Sequence, residues 1–508
     1  MSEAARDTEL SAPGDLAALL TAIRTGPTGP SIGAFFEFAG VVTDGLGKAP
    51  RRIDDPAAAL RVDLGAEATD TEFDRRLDSV TRAFAGQAPA DLDRLATAHF
   101  RRESYGHLYP EAWRLIAAHR AAGHTVVLVS PLTEFQLRPA AAELGVTHLL
   151  ATRLAVTGGD PPDTATDLPS SAGEGVPTAA GDGVLTGAVV GEPPRGEAAA
   201  EAVRAFAARH GIDLARSHAY AAGSRDLPLL EAVGHPVAVN PSADLAATAV
   251  ANRWPAPEFR PRPAQSPANV ARTVLALLAL LAGAVAGVVS RAHTRDRRAM
   301  ADALMTYAAR LTLRVVGARV RVVGARHARA PRPAVFLFNH QSQFDVIIMP
   351  KVLDGGVTAI AKKELTRNPI FGPLMRFVGV TFIDRSDSAG TRAQLAPVVE
   401  TLHSGLSLAV APEGTRSYTP AVGPFKKGAF HIARQAGVPI IPVVIRNAGE
   451  IAWRNSMIAR PGTVDVAVLA PIDVSAWDPA DLDAEVEKVR QLYLDTLLDW
   501  PKSADHPE

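Results

Sequence analysis

The chain has 508 residues, more than one hydrophobic core usually organises, which predicts two or three domains. Its apolar fraction of 47% and charged fraction of 21% are ordinary for a globular protein, and a net charge of −1 gives no indication of a nucleic-acid partner. The absence of cysteine excludes disulfides, thiol nucleophiles and cysteine-ligated zinc or iron–sulfur sites.

The first half of the chain alternates short apolar runs with longer helical patterns. The runs AFFEFAGVV, TVVLVSP and HPVAVNP have the length and composition of buried strands, and GEAAAEAVRAFAARHG is typical of a helix. Short strands that alternate with helices predict a parallel sheet. Residues 157–183 are rich in Pro, Gly, Thr and Asp, which predicts a loop.

An uncharged apolar segment, Thr273 to Val289, divides the chain, with Arg272 before it and Arg291 after it. As a helix it would be roughly 25 Å long, at the lower limit for crossing a bilayer. It could be a buried core helix, but the flanking arginines and a preceding proline-rich stretch favour a membrane-associated helix. Residues 299–316 mix apolar and basic side chains, which indicates a second, amphipathic helix at the interface.

The second half of the chain repeats the α/β pattern. Its strand-like runs are ARVRVVG, AVFLFNH, VTAIAKK, GVTFID, LSLAVAPEG and VPIIPVVI. The sequence therefore predicts two α/β domains joined by a hydrophobic helix. The expected boundaries are 1–258 for the first domain, 259–299 for the linker and helix, and 300–508 for the second domain.

His340 and Asp345 follow the second of these runs and lie five residues apart. On one continuous helix they would point about 140° apart. They can meet only if His340 lies in the turn after the strand and Asp345 in the first turn of the next helix. A carboxylate would then hold one imidazole nitrogen and leave the other as a general base. The alternative is a turn histidine beside an ordinary helix start.

Other strand ends in this half carry groups suited to an anion. Gly414 allows a ligand to approach the backbone closely, and the planar guanidinium of Arg416 suits phosphate. The acid–base pair Asp384–Arg385 follows another strand, and Lys362 and Lys363 end a third. A His–Asp pair near several cations predicts a site for an anionic, hydroxyl-bearing substrate.

Four motifs in this half resemble, in order, those of the glycerolipid acyltransferase family: NHQSQFD, FIDR, PEGTRS and VPIIPV, within residues 315–474. One departure is Ala411, where the family usually has Phe. The resemblance implies that His340 deprotonates the hydroxyl of 1-acylglycerol-3-phosphate and that Asp345 orients the imidazole. It implies an acceptor site that contains the following residues: Lys362, Lys363, Arg385, Glu413, Gly414, Thr415 and Arg416. VPIIPV would line the acyl region.

The implied reaction takes an acyl group from acyl-CoA or acyl-carrier protein, makes phosphatidic acid for phospholipid biosynthesis, and needs no metal. The implied partners are a lysophospholipid, an acyl thioester and a membrane surface, with no nucleic acid. Another lysophospholipid or a glycolipid is an alternative acceptor, and a non-catalytic lipid-binding or scaffold protein is an alternative function.

The expected location is the cytoplasmic face of the membrane, because acyl-CoA is cytosolic. The polar start of the chain, MSEAARDTEL, predicts no secretory signal. We therefore expect the apolar helix to dip into the cytoplasmic leaflet, with both halves of the chain on one side.

The first half resembles the haloacid dehalogenase superfamily, near its phosphoserine-phosphatase-like branch, over residues 34–254. The stretches HTVVLVSPLTEFQLRPAAAELGV and AYAAGSRDLPLLEAVGHPVAVNP carry the resemblance, which implies a Rossmann-like fold. Catalysis in that family needs a nucleophilic Asp, an acid/base Asp two residues later, a phosphate-binding Ser or Thr, a Lys and a magnesium-binding Asp. The corresponding residues here are Glu37, Ala39, Ser130, Ala199 and Ala222, with Asp226 retained further along.

These differences predict a catalytically degenerate phosphatase site. Glu37 is one methylene too long for in-line attack, and Ala39 cannot protonate a leaving oxygen. Ala199 cannot neutralise a phosphate, and Ala222 deprives Mg²⁺ of an oxygen ligand, so no Mg²⁺ is expected in this domain. The alternative is a bifunctional enzyme with residual phosphatase activity.

Overall fold

The computed structural model describes most of the chain as two compact units, residues Met1–Pro263 and Ala264–Glu508. The described residues are 16–47, 50–64, 69–158, 166–167, 183–260, 266–329, 331–362, 366, 371–383, 391–416, 422–452, 456 and 458–501. Most of the loop predicted over 157–183 lies outside these ranges. The division falls close to the predicted end of the first domain, and the apolar helix belongs to the second unit.

The first unit is an α/β domain around one sheet. Its elements are α1 (Leu16–Thr25), β1 (Gly33–Glu37), α2 (Pro56–Ala59), α3 (Asp70–Phe84), α4 (Pro89–Arg102), α5 (Pro110–Ala121), β2 (Thr125–Thr133), α6 (Glu134–Leu144), β3 (His148–Val156), β4 (Thr166–Asp167), β5 (Leu185–Val190), α7 (Glu197–His210), β6 (His218–Ala221), α8 (Leu227–Glu231), β7 (His235–Ala238) and α9 (Ala243–Asn252).

The strands of the first unit lie in the order β4-β3-β2-β1-β6-β7, with β5 also paired to β3. Strands β3, β2, β1, β6 and β7 are parallel to their neighbours, as predicted, whereas β4 and β5 run antiparallel to β3. Helix α7 ends at Gly211, whose φ of 66° is the left-handed conformation that glycine adopts without strain. Phe35 of β1 packs against Phe206 of α7 in the core.

The second unit contains α10 (Pro267–Arg291), α11 (Arg297–Val316), β8 (Ala318–Val323), β9 (Val335–Phe338), α12 (Asp345–Leu353), β10 (Val357–Lys362), α13 (Phe371–Phe377), β11 (Thr381–Ile383), α14 (Thr391–His403), β12 (Ser407–Val410), α15 (Gly428–Ala436), β13 (Ile440–Arg446), α16 (Ala448–Ile451), β14 (Gly462–Val468) and α17 (Leu482–Leu498). Its strands lie in the order β11-β10-β12-β9-β13-β14-β8. Strand β14, which the sequence analysis missed, is antiparallel to β13.

Helices α10 and α11 form an antiparallel hairpin held together by small residues. A Cβ at Gly283 would lie 2.8 Å from Cα of Ala308, and one at Gly287 would lie 2.5 Å from the carbonyl oxygen of Ala303. The backbones therefore approach closely, as small residues permit between apolar helices. Residues 297–316 are confirmed as a helix, and it packs along α10.

Most of α10 is not buried, which excludes the alternative of a core helix. The helical stretch Pro267–Thr294 is long and apolar enough to cross a membrane, and only 28% of its most apolar part is buried. Its exposed large side chains are Val270, Val274, Leu275, Leu277, Leu278, Leu281, Val285 and Val289. The opposite face meets the domain, where Ala276 joins a core cluster of the second unit.

Candidate active site

His340 and Asp345 meet in the geometry that the sequence predicts. His340 lies in the turn after β9, and Asp345 is the first residue of α12. The imidazole Nδ1 lies 2.7 Å from Oδ2 of Asp345. Asp345 is fully buried, whereas 21% of the His340 side chain is exposed, enough to meet a substrate. With Nδ1–H as the donor, the carboxylate accepts this hydrogen bond and keeps the proton on Nδ1. The neutral imidazole then has its lone pair on Nε2.

The turn around this pair is held by backbone hydrogen bonds. Oδ2 of Asp345 also accepts bonds from the backbone N–H groups of Gln341 and Ser342, each at 2.8 Å. The side chain of Asn339 bonds both the N–H and the carbonyl of Ile445 on neighbouring β13. One carboxylate therefore orients the imidazole and closes the turn, and the amide anchors that turn to the central strands.

Glu413 links a second loop to His340. Its Oε1 accepts a hydrogen bond from the backbone N–H of His340 at 2.7 Å, and its Oε2 accepts one from Gly423 at 2.9 Å. Because β12 and β9 are parallel neighbours, the loop after β12 lies at the same sheet edge as His340. The sequence resemblance placed Glu413 in the acceptor site. Its buried carboxylate bonds two backbone N–H groups, which supports the turn, and its place in the acceptor site stays a prediction.

The loop after Glu413 brings a cation to Gly414 that sequence reasoning missed. Gly414 has a φ of +73°, and a Cβ on it would lie 3.0 Å from Nζ of Lys426. The Lys426 backbone N–H donates to the carbonyl of Pro412 at 2.8 Å, which holds the two segments together. Arg416 lies half-buried and Thr415 exposed in the same loop. The motif PFKKG that contains Lys426 was the available signal.

The remaining predicted acceptor contacts are only partly described. Lys362 ends β10, which neighbours β12, but its side chain is not described. Lys363 and Arg385 lie outside the described residues. The motif VPIIPV forms β13, whose side chains are buried in the two core clusters of this unit. VPIIPV therefore contributes to the core, and the acyl-lining role implied by the resemblance stays a prediction.

The first unit has a cavity of about 550 Å³ at the carboxyl ends of its strands. Ala39 and Ala222 both line it, together with polar groups that include Asp63, Arg76 and Asn240. Two positions at which the resemblance requires carboxylates therefore present methyl groups to the cavity. The cavity is therefore present, and two of its lining residues lack the carboxylates that the resemblance implies.

Glu37 lies beside this cavity and turns back on its own backbone. It is 4% exposed, and its Oε1 accepts a hydrogen bond from the Ala39 N–H at 3.0 Å. Burial, and then the nearby Asp226, raise the pKa of Glu37 well above its ordinary value. Burial also raises the pKa of Asp226 to about 6. Ser130 is buried within the second half of β2, the strand paired with β1.

The structure places Ala199 in the core rather than at this site. Ala199 packs with Phe35 and Val203 between α7 and the sheet. Arg195, just before α7, is a cation whose charge acts to lower the pKa of Asp226. Arg195 also donates to Asp70 at 2.8 Å. Sequence reasoning missed this residue because it placed the cation four residues later.

The residues of this site do not fit a catalytic Mg²⁺. Two positions at which the resemblance implies carboxylates, Ala39 and Ala222, offer no oxygen ligand, and Glu37 already accepts a bond from Ala39. A Cβ on Gly40 would lie 2.6 Å from Cβ of Ala222, so the Ala222 methyl group packs directly against the Gly40 backbone. This methyl group stands where the resemblance implies a magnesium-binding carboxylate.

Comparison with known proteins assigns both halves. Residues 319–446 match the family model Acyltransferase, and residues 28–179 match the model for haloacid dehalogenase-like hydrolases. The 1-acyl-sn-glycerol-3-phosphate acyltransferase of Saccharomyces cerevisiae is 35% identical over 193 residues, which are 36% of this chain and 61% of that protein. The alpha form from Homo sapiens is 36% identical over 179 residues, covering 35% of this chain and 63% of that protein.

A solved structure, the 1-acyl-sn-glycerophosphate (LPA) acyltransferase of Thermotoga maritima, is 23% identical with a TM-score of 0.39, covering 45% of this chain and 97% of that one. The chain spans somewhat less than two thirds of the length of the curated relatives described above. The family models confirm both resemblances drawn from the sequence. The chain therefore carries a haloacid dehalogenase-like hydrolase domain, matched over residues 28–179, followed by an acyltransferase domain, matched over residues 319–446.

Proposed function

We propose that this protein transfers a fatty acyl group from an acyl thioester to the free hydroxyl of 1-acylglycerol-3-phosphate, which makes phosphatidic acid. The observation that carries the proposal is the 2.7 Å contact between Nδ1 of His340 and the buried carboxylate of Asp345. That contact leaves Nε2 available as a general base on a side chain that is partly exposed. The names of the similar proteins support the choice of acceptor.

In the proposed reaction Nε2 of His340 takes the proton of the acceptor hydroxyl, and the hydroxyl oxygen attacks the thioester carbonyl. The new ester bond forms as the carbon–sulfur bond breaks, and the imidazolium returns its proton to the leaving thiolate. Asp345 stabilises the imidazolium and does not itself take up the proton. The side chains supply this acid–base chemistry, so the proposed reaction uses no metal.

The acceptor phosphate is proposed to bind beside Gly414. Lys426 brings an ammonium group to that glycine, and Arg416 follows in the same loop. Two cations near a backbone that ligands can approach closely suit a phosphate. Arg385, Thr415, Lys362 and Lys363 stay predicted contacts. The donor is proposed to be acyl-CoA or acyl-carrier protein.

The hairpin of α10 and α11 is proposed to insert into the bilayer that holds the lipid substrates. Its exposed leucines and valines form an apolar surface of the kind that marks membrane contact. Because α11 runs back along α10, the chain returns to the side from which it entered. We therefore place the acyltransferase domain at the cytoplasmic face. Protease accessibility of residues 1–260 in sealed vesicles tests this topology, and protection of those residues from external protease in inside-out vesicles would contradict it.

We propose that the first domain does not hydrolyse phosphate esters. Two observations support this conclusion. The pKa of Glu37 is raised by burial, which favours the neutral carboxyl over a nucleophilic carboxylate, and Ala39 and Ala222 present only methyl groups to the cavity. Release of phosphate from small phosphomonoesters with Mg²⁺, at a rate that Glu37→Gln abolishes, would instead establish the bifunctional alternative.

Acyl transfer from acyl-CoA to a panel of lysolipids, measured on the full chain, tests the main proposal. We expect 1-acylglycerol-3-phosphate to be the best acceptor and His340→Ala to lose at least about a hundredfold in kcat. Asp345→Asn retains the side-chain volume and should lose a similar factor, because a neutral amide cannot stabilise the imidazolium that forms on His340. Full activity in His340→Ala would show that the base is wrong, and transfer only to another lysolipid would redefine the acceptor.

A further inference from the structure

Three histidines meet at the amino-terminal edge of the sheet in the first unit, opposite to the degenerate phosphatase site. His119 lies on α5, His124 immediately precedes β2, and His218 begins β6. One potential ligand nitrogen from each of them lies within 4.8 Å of the other two. Glu37, by contrast, ends β1, so this cluster is separate from the residues that correspond to the phosphatase site.

The hydrogen bonds around the cluster prepare two of the rings for a cation. Nε2 of His124 lies 2.9 Å from the carbonyl oxygen of Pro27 and must carry a proton to bond it, which leaves a lone pair on Nδ1. Nε2 of His119 lies 2.7 Å from the hydroxyl of Tyr220, which can accept its proton in the same way. Carbonyl and hydroxyl partners of this kind orient metal-binding imidazoles in proteins.

The two prepared nitrogens face each other. Nδ1 of His119 lies 2.8 Å from Nδ1 of His124. In the metal-free protein Nδ1–H of His119 donates to Nδ1 of His124, and the Tyr220 hydroxyl donates to Nε2 of His119, so the cluster is already satisfied. Metal binding requires the other tautomer of His119, in which Nε2–H donates to the Tyr220 oxygen and Nδ1 carries the lone pair. A tetrahedral metal at about 2.0–2.1 Å from each nitrogen would hold the pair roughly 3.4 Å apart. A separation of the two rings by about half an ångström therefore converts the hydrogen bond into a chelate.

His218 supplies the third ligand position and is the histidine of the cluster that solvent can reach. Its ring lies 4.8 Å from that of His119 between centroids, and it is half-buried, whereas His119 is fully buried. His235, the exposed partner of His218 on β7, stacks on its outer face.

We propose that His119, His124 and His218 form a binding site for a divalent transition metal such as Zn²⁺, with a fourth position open to water. Imidazole ligands favour Zn²⁺, Ni²⁺, Cu²⁺ and Co²⁺ over Mg²⁺. Strands β2 and β6 lie on either side of β1, the strand that bears Glu37. The metal would therefore link the amino-terminal ends of β2 and β6. The site takes no part in the proposed acyl transfer.

The test uses the full chain in detergent, free of any histidine tag and stripped by a chelator. Co²⁺ titration should give one equivalent with the visible absorption of a tetrahedral complex, and Zn²⁺ should displace it. His218→Ala should weaken binding at least tenfold, and Tyr220→Phe should weaken it about tenfold by removing the hydroxyl partner. His235→Ala is the matched control on the neighbouring strand and should bind as wild type does.

Two outcomes would overturn the proposal. One is a wild-type protein that binds less than a stoichiometric amount of Co²⁺ and Zn²⁺, in which case the cluster is a hydrogen-bonded core and nothing more. The other is His218→Ala binding with unchanged affinity, which would place the metal elsewhere. Circular dichroism on each variant separates loss of the site from loss of the fold, and the wild-type titration decides the matter even if a variant unfolds.

Discussion

The carboxylate of Glu413 holds the backbone of His340 through a 2.7 Å hydrogen bond between its Oε1 and the histidine N–H. The two residues belong to different loops, 73 positions apart in the chain. The base is therefore positioned from two directions, by Asp345 at its ring and by Glu413 at its backbone. Because the other oxygen of Glu413 accepts from Gly423, the same carboxylate also shapes the loop beside the proposed phosphate site.

Glu413→Gln should lower kcat by roughly tenfold or more, because an amide has one acceptor oxygen and leaves one buried N–H unsatisfied. The Michaelis constant for the lysolipid should change little if Glu413 acts by positioning His340. Steady-state kinetics with varied acceptor measures both quantities. A large rise in that constant with unchanged kcat would instead return Glu413 to the acceptor site.

Lys426→Met should raise the Michaelis constant for 1-acylglycerol-3-phosphate by roughly tenfold, because a charge-assisted contact with the phosphate is lost. Monoacylglycerol, which lacks the phosphate, should be affected much less. Lys427→Met is the control, since Lys427 pairs with Asp483 at 2.6 Å on the surface. Equal effects on acceptors with and without phosphate would contradict this role for Lys426.

Gly287→Ile should separate α10 from α11, because its Cβ would lie 2.5 Å from the carbonyl oxygen of Ala303. Overpacking of this kind should lower the midpoint of thermal unfolding in detergent by roughly 5 °C. Ala286→Ile adds the same side chain at an exposed position on α10 and should leave the midpoint unchanged. Similar midpoints for the two variants would argue against close packing of the hairpin.

Asp226→Asn should stabilise the first domain at neutral pH. Burial raises the pKa of Asp226 from 3.8 to about 6, so its contribution to stability is full below about pH 4 and is lost as the pH rises through 6. Removing the ionisation should add about 3 kcal/mol to the free energy of unfolding at pH 7 and little at pH 4. Hydrogen-exchange protection factors in β1 and β6 measure this difference.

Asp70→Asn is the control for that experiment, because the pKa of Asp70 is shifted in the opposite direction to that of Asp226. Hydrogen bonds from Arg225 and then Arg195 lower the pKa of Asp70, so its ionised form favours the folded state above the unfolded-state pKa. Neutralising Asp70 should therefore not stabilise the domain at pH 7. Stabilisation by both substitutions would indicate a general effect of net charge rather than burial of Asp226.

The helix–strand alternation and the His–Asp pair could be read from the sequence because they depend on neighbours along the chain. A five-residue spacing across the end of a strand permits contact only through a turn followed by a helix, and His340 and Asp345 have that arrangement. Strand β14, which pairs antiparallel with β13 and parallel with β8, escaped prediction because it lies outside every motif quoted for the family resemblance.

The sequence by itself determined the two domains, the apolar helix between the sheets and the loss of carboxylates at Ala39 and Ala222, since these depend on residue type and local pattern. Only the tertiary structure decided the role of Glu413, the approach of Lys426 to Gly414 and the placement of Arg195 rather than Ala199 beside Asp226. These relationships join segments distant in the chain, and sheet order and loop conformation set their distances.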